Sequence, residues 1–467
     1  MVRSRGFRKR VPRQSSRVDH MQNSVDASKL VDRVAALVEA AKKAGADAAD
    51  AVAVRGRSSS ISVRLGKVES TQASESDDIA LRVFVGQRVA SVSATAASDA
   101  DQLAERAVAM ARVSPEDPYQ GLAEPSRLTR NFRDLDLFDD TEVAAERLKD
   151  MALAAEDAAL GVKGVTNSSG AGASAGLGGL VLATSQGFVG QYLGSRFSVS
   201  ASVIAGEGTA MERDYDFSSR LHFADLEKPD EVGRRAGERT VKRLNARKAK
   251  TGPVTVVYDP RVARGIAGHI GGAINGAAVA RKTSFLRDMM GKQVAARGIT
   301  VTDDPLRVRG QASRPFDGEG IEGEALDMVS DGMLNHWFLS TSAARELGLE
   351  TNGRGARSGT SVSPTSTNLA IEPGERTPEE LIGALKSGFY VTEVFGQGVN
   401  MVTGEYSRGA SGFWIENGAV TYPVSEVTIA SNLKDMFLAM TPASDIDRDF
   451  GTAAPTLVIE GMTLAGN

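Results

Sequence analysis

The stretch VTVVYDPRVARGIAGHIGGAINGAAVA, residues 254–280, combines two patterns that indicate the fold class. Its first five residues are all β-branched or aromatic, which is typical of a buried strand. After Asp259 and Pro260, residues 261–280 predict one helix of small side chains. Since each glycine in a helix costs roughly 1 kcal/mol relative to alanine, we expect this helix to pack closely against a neighbouring element. The glycines concerned are Gly265, Gly268, Gly271, Gly272 and Gly276.

Downstream of residue 295 the pattern is mainly that of β-strands. One clear helix interrupts it, because Thr377-Pro378-Glu379-Glu380 forms a capping box with proline at the first helical position. No internal repeat of fixed period is evident in the chain. We therefore predict a β-rich C-terminal domain with a glycine-rich helix over residues 252–467.

Upstream, residues 24–247 predict an N-terminal α+β domain of short strands with flanking helices. Apolar side chains at helical spacing follow Ser24, and the pattern changes to strict alternation over residues 49–94. This alternation predicts four short strands, two of which are joined by a hairpin at Gly86-Gln87. Ser98 is the expected N-terminal cap of the next helix.

This N-terminal domain divides into two sub-regions, residues 24–113 and 139–247. The second sub-region contains a glycine-laden, β-rich block at residues 162–206 and a helix that begins at Pro229. A basic and poorly patterned run, NARKAKTGP at residues 245–253, follows and marks the predicted domain boundary. The two domains together predict the fold class α+β.

The N-terminus is strongly basic, and residues 1–23 are predicted to form a disordered basic tail. Residues 1–18 carry seven basic groups and no acid, which leaves a net charge of −11 on the rest of the chain. The tail is either a nucleic-acid-binding arm or a segment upstream of the true start at Met21. Because a negative body does not attract nucleic acid, we expect no nucleic-acid partner.

The amino-acid composition limits the kinds of site that the chain can form, and the targeting signals limit where in the cell the protein is expected. The chain of 467 residues has no cysteine and four histidines, so disulfides, iron–sulfur clusters, thiolate metal sites and cysteine nucleophiles are excluded. No apolar segment follows the basic N-terminus, so the sequence predicts no secretory signal. The long uncharged stretch at residues 164–195 is interrupted by polar side chains, and we expect neither a membrane span nor a membrane partner. The expected location is cytoplasmic.

Two glycine motifs lie in the β-rich block. Gly172-Ala173-Ser174-Ala175-Gly176 matches the G-x-S-x-G elbow of serine hydrolases, which needs a strand-to-helix turn. Gly170-x-Gly172-x-x-Ala175 matches a relaxed dinucleotide fingerprint, which needs a following helix and an acid about 20 residues later. The helix is missing in both cases, so a serine hydrolase that uses Ser174 is the least favoured hypothesis and nucleotide binding is rejected.

Two further features could hold a metal ion. His269 lies in the glycine-rich helix, but no second histidine and no glutamate accompany it, so we interpret it as a packed or interface histidine. The acidic loop at residues 317–324 could bind a hard cation through carboxylates, but it lacks the ligand order of an EF-hand. We expect this loop to be solvated or partner-facing. The sequence therefore predicts no catalytic, cofactor-binding or metal-ligating residue on this chain.

Five segments in the second half form a recognisable series. They are RKTSFLRDMMGKQV (281–294), SRPFDGEGIEGE (313–324), STNLAIEPGERTPEEL (366–381), VTGEYSRGASGFWIENGAVTYPV (402–424) and TIASNLKDMF (428–437). Together and in this order they resemble the TldD/PmbA metallopeptidase family and specifically its PmbA branch, also called TldE. The resemblance covers nearly everything from about residue 24 onward.

The resemblance implies a bacterial cytosolic peptidase system of two related subunits. TldD-type chains carry H-E-x-x-x-H on a glycine-rich helix, and a later cysteine completes their zinc site. PmbA-type chains have a similar fold and lack those ligands. In this chain Ile270 follows His269, and no cysteine is present. By resemblance, the chain binds no cofactor itself, and zinc is expected on a TldD-like partner.

Two main hypotheses for the function follow from this resemblance. The first is a non-catalytic subunit of a metallopeptidase, paired with a homologous TldD-like chain, for proteolysis or maturation of small unfolded peptides. Such a subunit would hold an extended peptide, which commonly adds to the edge of a sheet. The alternative is an independent gyrase-modulating binding protein without a proteolytic role.

Overall fold

The computed structural model of the protein describes residues 27–466. The predicted tail at residues 1–23 lies outside the described residues, as does the first part of the helix expected after Ser24. The chain forms helices together with mixed sheets, which confirms the predicted α+β class. No helix in residues 27–466 is both long enough and apolar enough to cross a bilayer.

The first half of the described chain builds one sheet of six strands. In chain order the strands are β1 (Ala48–Arg64), β2 (Lys67–Val85), β3 (Arg88–Thr95), β4 (Val165–Thr184), β5 (Val189–Ala205) and β6 (Glu212–Arg220). They lie in the order β3-β2-β1-β4-β5-β6, and every neighbouring pair is antiparallel. The sub-regions 24–113 and 139–247 therefore each contribute three strands to a single sheet.

β1 is one strand of 17 residues, so the prediction of two short strands here is wrong. The strand continues through Gly56 because β2 and β4 pair with it on both sides. Gly56 lies opposite Ser76 on one side and Gly178 on the other. Pairing along both edges supplies backbone hydrogen bonds that the local sequence does not specify. The hairpin predicted at Gly86-Gln87 is present between β2 and β3.

Four helices pack side by side on one face of this sheet: α1 (Ala27–Lys43), α2 (Ala100–Val113), α3 (Ala145–Leu160) and α4 (Pro229–Lys242). Ala53 of β1 packs in the cluster with α1 and α2, and Ile61 packs in the cluster with α3 and α4. Alternate residues of a strand share a face, so both helix pairs cover the same face. The cap of α2 is Asp99 rather than the predicted Ser98, since the Asp99 carboxylate accepts the N–H of Gln102.

The second half builds a closed barrel and a smaller sheet. In chain order its strands are β7 (Gly252–Tyr258), β8 (Val301–Asp303), β9 (Leu326–Ser330), β10 (Met333–Leu334), β11 (Gly355–Ser358), β12 (Ser361–Pro364), β13 (Leu369–Ile371), β14 (Ser387–Phe395), β15 (Glu405–Glu416), β16 (Ala419–Asn432), β17 (Met440–Pro442), β18 (Thr452–Ala453) and β19 (Leu457–Ala465). Its helices are α5 (Pro260–Ala273), α6 (Gly276–Ala280), α7 (Thr341–Leu347), α8 (Pro378–Gly383) and α9 (Leu433–Leu438).

The barrel consists of β7, β14, β15, β16 and β19. Its strands pair in the order β16-β15-β14-β7-β19, and β16 also pairs with β19, for example at Ile429 and Leu464. This last pairing closes the ring, which removes free strand edges. The smaller sheet has the order β10-β9-β8-β13-β18, and β11 forms a separate hairpin with β12.

The single helix predicted over residues 261–280 is wrong, because the chain forms α5 and α6 there. The break lies at Asn275, whose side chain accepts the N–H groups of Ala277 and Ala278 and so caps α6. The capping box at Thr377 is present and begins α8, as predicted. Helices α7 and α9, which the sequence did not predict, have seven and six residues and are too short to show a helical period.

The glycines of α5 and α6 differ in how closely they pack. A Cβ on Gly271 would lie 2.9 Å from Leu369, and one on Gly276 would lie 2.6 Å from the Phe338 carbonyl oxygen. A Cβ on Gly265 or Gly268 would meet nothing within 4 Å. The expectation of close packing is therefore right for the inner glycines and wrong for Gly265 and Gly268, which lie on an exposed face of α5.

Candidate functional site

Helix α5 presents the imidazole of His269 near its exposed glycine face. The helix begins where Asp259 accepts the N–H of Arg261, and the hydroxyl of Tyr390 donates to the other oxygen of that carboxylate at 2.8 Å. The apolar side of the helix, including Ile266, packs into the main hydrophobic core of the second half. The helix thus packs on the core with one side, and within residues 27–466 the side that carries Gly265 and Gly268 is exposed.

The surroundings of His269 are aromatic and cationic. Its ring lies edge-on to the ring of Tyr406 in β15, with centroids 6.0 Å apart and an interplanar angle of 77°. Burial lowers the pKa of His269, and the positive charge of Arg408 lowers it further. The imidazole is therefore neutral at physiological pH. A neutral imidazole can accept a proton or bind a metal, provided that partners are in reach.

The residues around His269 do not fit a zinc ion. Structural and catalytic zinc sites use three or four nitrogen, sulfur or oxygen ligands from the protein. In the part of the chain that the structure describes, no group of three or more histidine, cysteine, aspartate or glutamate side chains could hold a metal ion. The charge of Arg408, which already disfavours a proton on His269, would also oppose a metal cation.

The serine of the G-x-S-x-G motif lies inside a strand. Ser174 is in the middle of β4, and its hydroxyl lies 2.7 Å from that of Ser198 in β5. No helix follows it at a sharp turn, which the nucleophile elbow requires. The relaxed dinucleotide motif at residues 170–175 lies in the same strand, so neither motif has the structural context that its chemistry needs.

The remaining histidines are spread over other elements. Nε2 of His222 lies 2.8 Å from the carbonyl oxygen of Asp136, and carboxylate oxygens of Asp136 and Asp139 lie within 4.0 Å of its ring. These contacts attach the segment before α3 to the end of β6. His336 is half-buried between β10 and α7, and His20 lies outside the described residues.

The expectation that the acidic loop at residues 317–324 is solvated or partner-facing is wrong. Asp317 is 2% exposed and Glu319 is 5% exposed. Asp317 accepts three backbone N–H groups, one of them from Gly355, and Glu319 accepts the N–H of Thr341 at 2.7 Å. Burial raises the pKa of Glu319 to about 7, and the neighbouring Asp317 carboxylate contributes to this rise.

The buried loop approaches an ion cluster that joins the two halves of the chain. Asp50 of β1 lies 2.5 Å from a guanidinium nitrogen of Arg82 in β2 and 2.7 Å from one of Arg357 in β11. Burial alone would favour the neutral acid, but Arg357 and Arg82 hold the pKa of Asp50 below its ordinary value. No local sequence pattern indicates this cluster, because Asp50 and Arg357 lie about 300 residues apart in the chain.

The comparisons with known proteins agree over most of the chain. Models of the PmbA/TldA metallopeptidase family match domain 1 at residues 49–111, the central domain at residues 138–244 and the C-terminal domain at residues 251–466. The chain belongs to this family. Sequence similarity to the relatives below supports its PmbA branch, as the five segments predicted.

Curated relatives match over nearly their full length. The metalloprotease PmbA of Escherichia coli O157:H7 is 36% identical over 411 residues, which are 87% of this chain and 90% of the relative. A metalloprotease PmbA homologue of Haemophilus influenzae is 35% identical over 443 residues, which are 94% of this chain and 96% of the relative.

Solved structures share the fold. A Bacteroides thetaiotaomicron protein, a proposed modulator of DNA gyrase, superposes with a TM-score of 0.87 at 28% identity and covers 95% of this chain and 100% of its own. TldE of Thermococcus kodakarensis superposes with a TM-score of 0.81, covering 93% of this chain and 100% of its own, but at 20% identity this likeness shows the fold alone.

Proposed function

We propose that the protein is a non-catalytic subunit of a TldD/PmbA-type metallopeptidase. In this proposal it pairs with a homologous TldD-like chain that carries zinc, and the pair acts in the cytoplasm on small unfolded peptides. The catalytic steps then belong to the partner, and this chain contributes to the walls of the reaction chamber and to peptide binding. It binds no metal or other cofactor of its own.

The environment of His269 is the observation that carries the proposal. A helix that activates water on zinc needs at least two ligands on one face and an acid or base beside the metal. Helix α5 offers His269 alone, and the side chains next to that imidazole are Tyr406 and Arg408. Family membership explains why a glycine-rich helix with a histidine occurs here. Because His269 is the only potential metal ligand on α5, we assign catalysis to the partner.

A free strand edge supports the proposed role in peptide binding. β1 pairs with β2 over almost its whole length, whereas β3 pairs only with residues 78–85 of β2. Among the described residues, those at 67–76 of β2 are therefore paired on one side only, and their side chains are largely exposed. An extended peptide can add to such an edge through main-chain hydrogen bonds. Strands of the closed barrel offer fewer positions of this kind.

Reconstitution with a TldD-like chain tests the proposal. The two chains are co-expressed and co-purified, and hydrolysis of an unstructured peptide is measured for each chain and for the pair. We expect activity from the pair, no activity from this chain alone, and unchanged activity when this chain carries His269→Ala. A glutamate-to-glutamine change in the partner's H-E-x-x-x-H motif is the matched control and should abolish hydrolysis.

Three outcomes would contradict the proposal. Hydrolysis by this chain alone that is lost in His269→Ala would make it an enzyme in its own right. Loss of activity in Ser174→Ala would instead favour the serine hydrolase. Failure of the chains to associate, together with binding of this chain to purified gyrase, would support the alternative of an independent gyrase-modulating binding protein.

A further inference from the structure

A cavity of about 410 Å³ lies where the two halves of the chain meet, and His269 is not among the residues that line it. β6 and α4 form one wall, and the beginning of α5 and the segment 445–454 form the other. The volume is within the range of small-ligand pockets, about 300–1,000 Å³. The cavity therefore has the size of a binding site for a small molecule or for the end of a peptide.

Most arginines of this cavity are neutralised by carboxylates. Arg235 and Arg239 share the two oxygens of Asp216 at 2.6 and 2.5 Å. Arg261 lies 2.9 Å from Asp214, which is 3% exposed at its side chain. Paired in this way, these guanidinium groups have their charges balanced by carboxylates and form the walls of the cavity.

Arg264 is the exception among the cavity arginines of the described chain. Its Nε donates to the carbonyl oxygen of Arg261 at 3.0 Å, and within residues 27–466 neither Nη1 nor Nη2 makes a hydrogen bond or an ion pair, although the charges of Asp447 and Asp259 act on the guanidinium from nearby. Its guanidinium carbon lies 4.2 Å from the centre of the Phe450 ring and 5.8 Å from that of Phe217. The two rings hold a half-buried cation whose outer N–H groups are free to donate.

We propose that this cavity binds a carboxylate that is attached to an apolar group, with the carboxylate on Arg264 and the apolar group against Phe450 and Phe217. A planar guanidinium donates two parallel hydrogen bonds to a carboxylate, and the parts of the two rings that the guanidinium does not cover provide apolar contact. Asp445 and Asp447 also line the cavity, and their charge disfavours a multiply charged anion such as phosphate. The carboxylate belongs to the C-terminus of a peptide or to a free small acid.

Calorimetric titration of the purified full chain tests this inference without any partner chain. The probe is N-acetyl-glycyl-phenylalanine, with its C-terminal amide, 3-phenylpropanoate and inorganic phosphate as comparisons. We expect the acid to bind at least about ten-fold more tightly than the amide, because only the acid makes charge-assisted hydrogen bonds. Binding of the peptide acid but not of 3-phenylpropanoate assigns the site to peptide ends, and equal binding assigns it to free acids.

Variants show whether the binding is at this cavity. Arg264→Gln should weaken binding of the acid by about ten-fold or more, and Arg264→Lys, which keeps the charge but not the two-pronged geometry, should weaken it less. Phe450→Ala should weaken binding as well. Arg234→Gln, on an exposed part of α4, is the matched control and should bind as the wild type does.

Several results would overturn the inference. The first is that the acid does not bind at millimolar concentration, and the second is that the acid and the amide bind equally. The third is that phosphate at equal concentration displaces the acid. The fourth is that folded Arg264→Lys and Arg264→Gln variants bind the acid as the wild type does. Because the titration uses the single chain, its failure leaves the proposed pairing with a TldD-like chain untouched, and failure of that pairing leaves this result untouched.

Discussion

Glu319 is a carboxylic acid inside the protein, and its protonation is linked to the stability of the fold. It is 5% exposed and accepts one backbone N–H, from Thr341. The groups that face it are the carboxylate of Asp317, which opposes its ionisation, and the guanidinium of Arg82, which favours it. Burial is the largest contribution and raises the pKa to about 7 from an ordinary value of 4.5.

Stability should therefore depend on pH through Glu319. Because the pKa in the folded state is raised, the protonated acid stabilises the fold below about pH 5, and this contribution is lost as pH rises through 7. We expect the wild type to lose roughly 2–3 kcal/mol relative to Glu319→Gln between pH 5 and pH 8. Chemical denaturation at several pH values measures the difference.

An exposed position of the same loop gives the control for this prediction. Glu324→Gln should follow the wild type at every pH, since Glu324 is open to solvent. Parallel stability curves for the wild type and Glu319→Gln would contradict the assignment of a buried, protonated acid at this junction.

At the scale of single elements, α5 and α6 test how packing limits substitution. Gly268 lies in the interior of α5 with open space around its missing Cβ, whereas Gly276 lies against the backbone of Phe338. Gly268→Ala should stabilise the single chain by up to about 1 kcal/mol, because alanine favours the helix. Gly276→Ala should destabilise it by about 1–3 kcal/mol, because the carbonyl of Phe338 cannot move away.

Urea denaturation of the single chain compares the two variants directly. Gly265→Ala, at a second open position, is expected to behave as Gly268→Ala does. If Gly268→Ala destabilised the chain as much as Gly276→Ala, the exposed face of α5 would have to be packed against something, and our description of it would be wrong.

Elements with strong local signals could be predicted from the sequence. The strand VTVVY and the capping box at Thr377 each depend on a few neighbouring residues, and both are present. The length of β1 and the break at Asn275 could not be predicted, because pairing with distant strands and side-chain capping decide them. The local sequence pattern thus predicted the presence of helices and strands more accurately than it predicted their ends.

For the candidate site, too, features that depend on nearby residues could be predicted, and features that depend on distant residues could not. The isolation of His269 from other metal ligands could be read from residue types alone. The burial of the acidic loop could not be predicted from residue types, because its carboxylates lie against Gly355 and against arginines from distant strands. A run of acids normally indicates a solvated loop, and only the tertiary structure shows that these are inside.

At the scale of the whole molecule, the two halves are joined by buried charges and by an aromatic contact. Asp50 of the first half binds Arg357 of the second, and Phe316 packs under the sheet beside Phe188. The side of α5 that carries Gly265 and Gly268 remains open in this arrangement. A partner chain can therefore approach α5 without any change in how the halves are joined.

The zinc content of the purified chain tests the central claim most directly. The full chain and its His269→Ala variant are loaded with zinc, dialysed against a weak chelator and analysed for metal. We expect far less than one zinc per chain in both proteins and no difference between them, because within residues 27–466 His269 belongs to no group of three potential metal ligands. One zinc per wild-type chain that is lost in His269→Ala would contradict the account and make this chain a metalloenzyme by itself.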